Sequence, residues 1–175
     1  EGFAERFINA GIDAFGGVDI IVNNAGYTWD ALIGKMTDQQ FDAIMDVHVK
    51  APFRILRAAS NFIRQASTAE AAAGREVFRK VVNISSIAGT GGNAGQANYA
   101  TAKAGVIGLT KTLAKEWGRM KVNVNCVAFG MIDTRLTEVS EEKKEIEVEG
   151  AKIAVGIPPK VARNLSAMIP LGRAG

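Results

Sequence analysis

The sequence predicts an α/β protein with a central parallel sheet flanked by helices. Short runs rich in β-branched residues alternate along the chain with longer segments that repeat apolar residues at helical spacing. Helical segments between strands act as crossovers, and crossovers join parallel strands. Ligands bind such a sheet beyond the carboxyl ends of its strands, so we expect the functional residues just after them.

The first predicted elements are a helix over residues 2–15 and a strand over residues 18–23. Apolar residues in the helix recur at helical spacing, and Gly16-Gly17 marks its end. The strand is a mostly apolar run of the kind that lies buried in a parallel sheet.

A long helix is predicted over residues 38–66. Thr37 and Gln40 have the spacing of a capping box, which marks the start of a helix. Pro52 lies inside this segment and has no backbone N–H, so we expect a kink or two abutting helices there. Residues 67–78 are polar and rich in alanine, and we expect a surface loop with some helical character.

The second half of the chain continues the alternation. It contains a predicted strand at residues 80–85, a glycine-rich loop at 86–95, a helix at 96–118 and a strand at 122–127. The strongly charged residues 137–150 are expected to form the solvated face of a further helix.

Composition excludes several classes of protein. The chain has 175 residues, 47% hydrophobic and 22% charged, which suits one globular domain rather than a disordered chain. A net charge of +3 from scattered Lys and Arg does not call for a nucleic-acid partner, and no apolar run is long enough for a membrane span. One cysteine, Cys126, fits a reducing compartment, so we expect a cytoplasmic location and no metal site.

Small and polar residues follow the predicted strands. Residues 23–26, Asn-Asn-Ala-Gly, are either a plain turn or a place where the backbone approaches a ligand closely. Ser86 follows the second strand. Tyr99 and Lys103 lie four residues apart on the next helix and therefore share one of its faces.

The pair Tyr99 and Lys103 suggests acid–base chemistry. A free tyrosine titrates near ~10, and a nearby cation is expected to lower its pKa. Tyr99 could then give a proton to a carbonyl oxygen or take one from an alcohol, while Ser86 hydrogen-bonds the same oxygen. Because this spacing also occurs on solvated helices, the prediction depends on the conjunction with Ser86 and the glycine-rich loop.

As a set, these residues resemble the short-chain dehydrogenase/reductase family. The matching pieces are residues 23–26, Ser86, residues 99–103 and residues 122–125 leading to 130–134. Residues 92–99 are most like the 3-oxoacyl-[acyl-carrier-protein] reductase branch. The resemblance implies a Rossmann-like, doubly wound parallel sheet, of which this chain would hold the central part with about three strands.

The resemblance also implies roles for individual residues. Tyr99 would be the general acid, Ser86 would position the carbonyl, and Lys103 would tune Tyr99 and bind the nicotinamide ribose. Residues 137–168 would form a mobile substrate lid. Six further residues would line the cofactor, three on its adenosine-ribose side and three near the nicotinamide: Asn23, Ala25 and Gly26, and Gly130, Ile132 and Thr134.

Two residues depart from the family pattern. His48, the one histidine of the chain, stands where the family has an asparagine that holds a water linking the active-site lysine to solvent. It is either a histidine that packs and bonds locally or a replacement in that relay, because a neutral imidazole both donates and accepts. We expect the relay. Phe129 replaces the proline before Gly130 and adds a bulky ring beside the nicotinamide pocket.

The resemblance leaves part of the family's domain without a counterpart. No glycine-rich phosphate loop precedes residue 16, and the final strand of the family is not matched. Residues 1–175 are therefore expected to form a partial Rossmann domain, lacking the N-terminal glycine-rich βαβ unit and the C-terminal strand.

The implied activity is reduction of the 3-oxo group of an acyl thioester, as in fatty acid biosynthesis. The carrier would be acyl carrier protein or CoA, and the cofactor NADP, with NAD possible. The alternatives are a 3-hydroxyacyl-CoA or other alcohol dehydrogenase of the same family, and a non-catalytic fragment or structural subunit unable to bind cofactor alone. The family forms dimers and tetramers, so a homotetramer or homodimer is expected.

Overall fold

A three-stranded parallel sheet lies at the centre of the chain, in the order β1-β2-β3. The computed structural model describes residues 2–134, 137–140, 144–148 and 150–175. The strands are β1 (Ile20–Asn23), β2 (Arg79–Ser86) and β3 (Val122–Phe129). The predicted α/β class and parallel sheet are confirmed.

Helices connect these strands and cover one face of the sheet. They are α1 (Phe3–Phe15), α2 (Asp38–Met45), α3 (Ala51–Ala72), α4 (Ile87–Gly91), α5 (Ala97–Trp117) and α6 (Pro159–Ala167). Strand residues Ile21, Val81 and Val124 form the core with side chains of α1, α3 and α5. No helix in the described ranges is long and apolar enough to cross a membrane.

The predicted long helix is interrupted by one π turn, Asp46–Lys50. The N–H of Ala51 bonds to the carbonyl of Asp46, five residues back, and Pro52 follows with no N–H to donate. A kink or two abutting helices is expected near Pro52; the structure instead has a π turn that joins α2 to α3 without a gap. The second helix continues to Ala72, further than predicted, since no proline or glycine interrupts it.

Two segments differ from their predicted structure. The loop predicted at 86–95 contains the short helix α4, which Ser86 caps by accepting a hydrogen bond from the N–H of Ala88 at 3.1 Å. The helix expected in residues 137–150 is wrong for the part that is described. Here β4 (Lys144–Val148) pairs antiparallel with β5 (Ala151–Val155).

The sequence around β4 contains the signal for a strand. From Glu145 to Val148, charged and apolar residues alternate, which is the period of a strand rather than of a helix. Gly150 supplies the positive φ of 79° that the tight connection to β5 requires. Residues 141–143 and 149 of the charged run lie outside the described residues.

Candidate active site

A cleft of about 600 Å³ lies beyond the carboxyl ends of β2 and β3. Its walls come from these strand ends, the loop after β1, the first turns of α5 and the hairpin strand β5. The lining includes Asp30, Ser86, Gln96, Tyr99, Phe129, Gly130, Ile132, Thr134 and Ile153. The fold therefore opens its cleft at the edge of the sheet where the sequence predicts ligand binding.

Ser86, Tyr99 and Lys103 lie together at this cleft. Ser86 and Tyr99 both line the cleft, and the Lys103 Nζ atom is 5.5 Å from the centre of the Tyr99 ring. Lys103 donates to the carbonyl of Ile84 at 2.6 Å, which holds its ammonium against the end of β2. The Ser85 hydroxyl donates to the Lys103 carbonyl at 2.8 Å, so β2 and α5 fix these residues relative to one another.

The acidity of Tyr99 differs from the expectation. Burial raises the pKa of Tyr99, and the negative charge of Asp30 raises it further, while the hydrogen bond from Ser86 lowers it. The expected net lowering of the Tyr99 pKa is therefore wrong in this structure, because loss of solvent around the phenol is the largest effect on it. Burial also lowers the pKa of Lys103 to about 8, so its ammonium loses its proton easily.

His48 packs directly against Tyr99. Its ring meets the Tyr99 ring edge-on at 5.1 Å between centroids, and its Nε2 atom is 2.7 Å from the Tyr27 carbonyl. Because a carbonyl only accepts, Nε2 carries the proton and Nδ1 is left as an acceptor. Nδ1 is buried with no hydrogen-bond partner among the described residues. Burial and the Lys103 charge lower the His48 pKa to about 4, so the imidazole is neutral at neutral pH.

The predicted cofactor residues divide between two clefts. Gly130, Ile132 and Thr134 line the Tyr99 cleft. Asn23 and Ala25 line a second, apolar cleft between α1 and β1. Asn24, between them in sequence, lines both clefts.

The turn after β1 is held tightly from the interior. The Asn23 side chain donates to Asn83 at 2.7 Å, and Asn83 donates to Thr110 on α5 at 2.9 Å. A Cβ atom added to Gly26 would lie 2.1 Å from Cε1 of His48, so glycine is what lets the histidine ring pack here. The turn at residues 23–26 therefore forms part of the surface against which the His48 ring packs.

Sequence reasoning missed Asn98, which is fully buried. Its side chain donates to the carbonyls of Trp29 and Gln40, at 3.0 and 3.1 Å, and accepts from the Tyr99 N–H at 2.7 Å. These bonds fix where α5 begins and hence where Tyr99 lies. The available signal was an asparagine directly before the tyrosine at a predicted helix start.

Several known proteins are similar to this chain. A family model described as short chain dehydrogenase matches residues 2–145. The 3-oxoacyl-[acyl-carrier-protein] reductase FabG of Vibrio cholerae is 40% identical over 140 residues, which are 80% of this chain and 53% of that protein. The peroxisomal hydratase-dehydrogenase-epimerase of Saccharomyces cerevisiae is 39% identical over 134 residues, covering 77% of this chain and 14% of that protein.

A solved structure shows the same fold. The crystal structure of a short chain dehydrogenase from Mycobacterium avium superposes with a TM-score of 0.66 at 39% identity, over 73% of this chain and 42% of that one. The chain spans about half the length of the bacterial reductases it matches. The family model covers well over half of the chain, and the parallel sheet agrees with it. The chain belongs to the short chain dehydrogenase family.

Proposed function

We propose that the protein is a nicotinamide-dependent reductase of 3-oxoacyl thioesters. The observation that carries the proposal is the placement of Ser86 and Tyr99 together in a cleft at the carboxyl edge of the sheet, with the Lys103 Nζ atom 5.5 Å from the centre of the Tyr99 ring. The 3-oxoacyl-[acyl-carrier-protein] reductases of Vibrio cholerae and Thermotoga maritima, 40% and 35% identical, support this substrate class.

The site residues supply the proton and hold the carbonyl. The substrate oxygen would accept hydrogen bonds from the Ser86 and Tyr99 hydroxyls, which stabilise its developing negative charge. A tyrosine titrates near ~10 even when exposed, and burial raises the pKa of Tyr99, so at neutral pH Tyr99 carries the proton that a general acid would give. The bound nicotinamide would supply the hydride that reduces the carbonyl carbon.

The cleft also has residues that fit one end of such a cofactor. Gly130, Ile132 and Thr134 would lie along the nicotinamide, and Lys103 would bind its ribose. Gly130 has no neighbour within 4 Å of an added Cβ, so the backbone there is open to close approach. Asn23, Ala25 and Gly26 would belong to the adenosine-ribose side. NADP is the proposed cofactor and NAD the second candidate.

His48 would take part in returning a proton to the active site. Its unpartnered Nδ1 is an acceptor, and Lys103, with a pKa of about 8, exchanges its proton near neutral pH. A water between these groups would link Lys103 to solvent. We expect the pH–rate profiles of the parent and His48→Asn to differ, and identical profiles would rule out the relay.

The hairpin would act as part of the substrate lid, residues 137–168. β5 and the residues after it line the cleft opposite Ser86 with mostly apolar side chains, including Ile153, Val155 and Ile157. Such a wall suits the apolar chain of an acyl thioester, whether acyl carrier protein or CoA is its carrier.

Cofactor binding is tested by fluorescence. Trp29 lies in the cleft and Trp117 in the core, so NADPH should quench Trp29 selectively. We expect saturable quenching in the parent and a much smaller response in Trp29→Phe, which retains Trp117. Absence of saturable binding, measured independently by calorimetry, would favour the alternative of a non-catalytic piece.

Catalysis is tested with an acetoacetyl thioester and NADPH. Tyr99→Phe keeps the ring and removes the acid, so kcat should fall by roughly 100-fold or more. Ser86→Ala should also lose activity, whereas Ser60→Ala, whose hydroxyl bonds only within α3 in the structure, should retain it. Binding of NADPH with equal activity in the parent and Tyr99→Phe would contradict the proposed chemistry.

The yeast relative favours one other candidate, oxidation of a 3-hydroxyacyl-CoA. The same residues would then act in reverse, with Tyr99 accepting the alcohol proton. A comparison of kcat/KM for the acyl carrier protein and CoA thioesters in both directions separates the two.

We also propose that the chain assembles into a homodimer or homotetramer through α3 and α5. On these helices Phe53 is exposed, and Leu109 and Leu113 are partly buried.

A further inference from the structure

Residues 27–31, here called the strap, contribute Thr28, Trp29 and Asp30 to the lining of the Tyr99 cleft. The N–H of Ala31 bonds to the Gly95 carbonyl at 2.9 Å, and the Gln96 side chain donates to the Asp30 carboxyl at 2.9 Å. The Trp29 carbonyl accepts from Asn98. Three successive strap residues are thus attached to the segment directly before Tyr99.

Asp30 is the charged member of the strap. Although the residue as a whole is exposed, its carboxyl accepts a hydrogen bond from Gln96, and partial loss of solvent raises its pKa. Asp30 forms no ion pair in the part of the chain that the structure describes, so its negative charge is not cancelled by a contacting cation. Asp30 and Tyr99 line the same cleft.

We propose that Asp30 is a positioning residue for Tyr99: the carboxylate, held by Gln96 in the same cleft, disfavours ionisation of the phenol. A negative charge near a phenol disfavours the phenolate. The charge of Asp30 acts in this direction on the pKa of Tyr99. The catalytic consequence rests on the proposed function, because it requires Tyr99 to be the acid, but the effect on ionisation does not.

The other groups that face Tyr99 come from three elements. Lys103 lies one turn further along α5, Ser86 ends β2, and the neutral His48 ring packs from the π turn. Lys103 and Ser86 favour the phenolate, and His48 brings no charge at neutral pH. Of the groups named here that face Tyr99, Asp30 is the one whose charge disfavours the phenolate.

The ionisation of Tyr99 can be measured without catalysis. The chain has two tyrosines, so NMR of the protein labelled in the tyrosine rings gives two signals, which Tyr27→Phe assigns. We expect Asp30→Asn to lower the measured Tyr99 pKa by about half a unit, the effect of one partly solvated charge. Asp30→Glu should stay near the parent, and Asp13→Asn on exposed α1 is the matched control.

A second variant tests the same proposal in case Asp30→Asn folds poorly. Gln96→Ala leaves the charge but removes the bond that holds it, so the Tyr99 pKa should fall by less than in Asp30→Asn. An unchanged Tyr99 pKa in both Asp30→Asn and Gln96→Ala would overturn the proposal, and so would a rise in either.

Turnover then separates this proposal from the proposed function. In an active protein, Asp30→Asn should move the alkaline limb of the kcat profile for reduction to lower pH by the same shift, with KM for the thioester little changed. A lowered Tyr99 pKa in a protein that shows no turnover would support the role of Asp30 and count against the reductase assignment. A lowered Tyr99 pKa with an unmoved kcat profile would contradict the catalytic part of the proposal.

Discussion

At the scale of single residues, burial controls the protonation of the groups around Tyr99. Tyr99 is kept protonated, Lys103 is brought close to neutral pH, and His48 is kept neutral, in each case mainly through loss of solvent. The side chains nevertheless remain within reach of one another. Three neighbouring groups with shifted pKa values at and beside one cleft are typical of an active site.

His48 makes the stability of the fold depend on pH. Its pKa falls from 6.5 in the unfolded chain to about 4 in the folded one, so the unfolded chain binds an extra proton between these values. The stability that the neutral His48 side chain allows is fully present above pH 6.5 and is lost as the pH falls to about 4. From pH 7 to 4.5 this lowers the free energy of unfolding by roughly 2–3 kcal/mol.

The prediction is checked by urea unfolding at several pH values. The parent should lose more stability than His48→Asn over this range, because the asparagine has no proton to bind. Parallel curves for the two proteins would show that His48 does not carry the dependence.

At the scale of elements, the contact between α4 and α5 sets the distance between Ser86 and Lys103. Ser86 caps α4, and Gly89 lies so close to α5 that an added Cβ would be 2.6 Å from the Lys103 carbonyl carbon. Backbone atoms of a helix cannot move aside as a flexible side chain can. The glycine therefore permits the approach that brings the two functional residues together.

We expect Gly89→Ala to destabilise the protein by about 1–3 kcal/mol, the usual range for overpacking. It should also lower turnover, since Ser86 moves with α4. Gly91→Ala is the control, because an added Cβ there meets nothing within 4 Å. Thermal unfolding of both variants checks the prediction, and equal losses would contradict it.

At the scale of the whole molecule, the described residues leave a large apolar cleft of about 920 Å³ between α1 and β1. Phe15 is 87% exposed, and Ile20 and Val22 are more than half exposed. β1 pairs only with β2 in the described sheet. An apolar patch beside an unpaired strand edge favours association with another chain.

We therefore expect the protein to self-associate as its concentration rises. Val22→Lys should weaken the self-association, because it places a charge on the apolar patch. Val161→Lys, on α6 and partly exposed, tests whether any added charge has the same effect. Light scattering over a concentration series is the measurement. An equal effect of the two lysines would show that the cleft is not the contact.

Much of the fold followed from local patterns. From β1 to β3 the predicted strands and long helices occur in the observed order, with the short α4 missed, because periodicity and glycine breaks act over a few residues. Ser86, Tyr99 and Lys103 meet as expected, since they follow strand ends of a parallel sheet. The hairpin was missed because the density of charge in residues 137–150 suggested a solvated helix, although the alternation from Glu145 to Val148 is that of a strand.

The sequence by itself determined the α/β class, the parallel sheet and the edge where the functional residues lie, because these depend on local spacing and on the handedness of crossovers. The tertiary structure alone decided the protonation of the site. It packs His48 against Tyr99 and attaches Asp30 to Gln96, which are 51 and 66 residues apart in the chain. Desolvation and charge at a point in space depend on such distant segments, and no local pattern contains them.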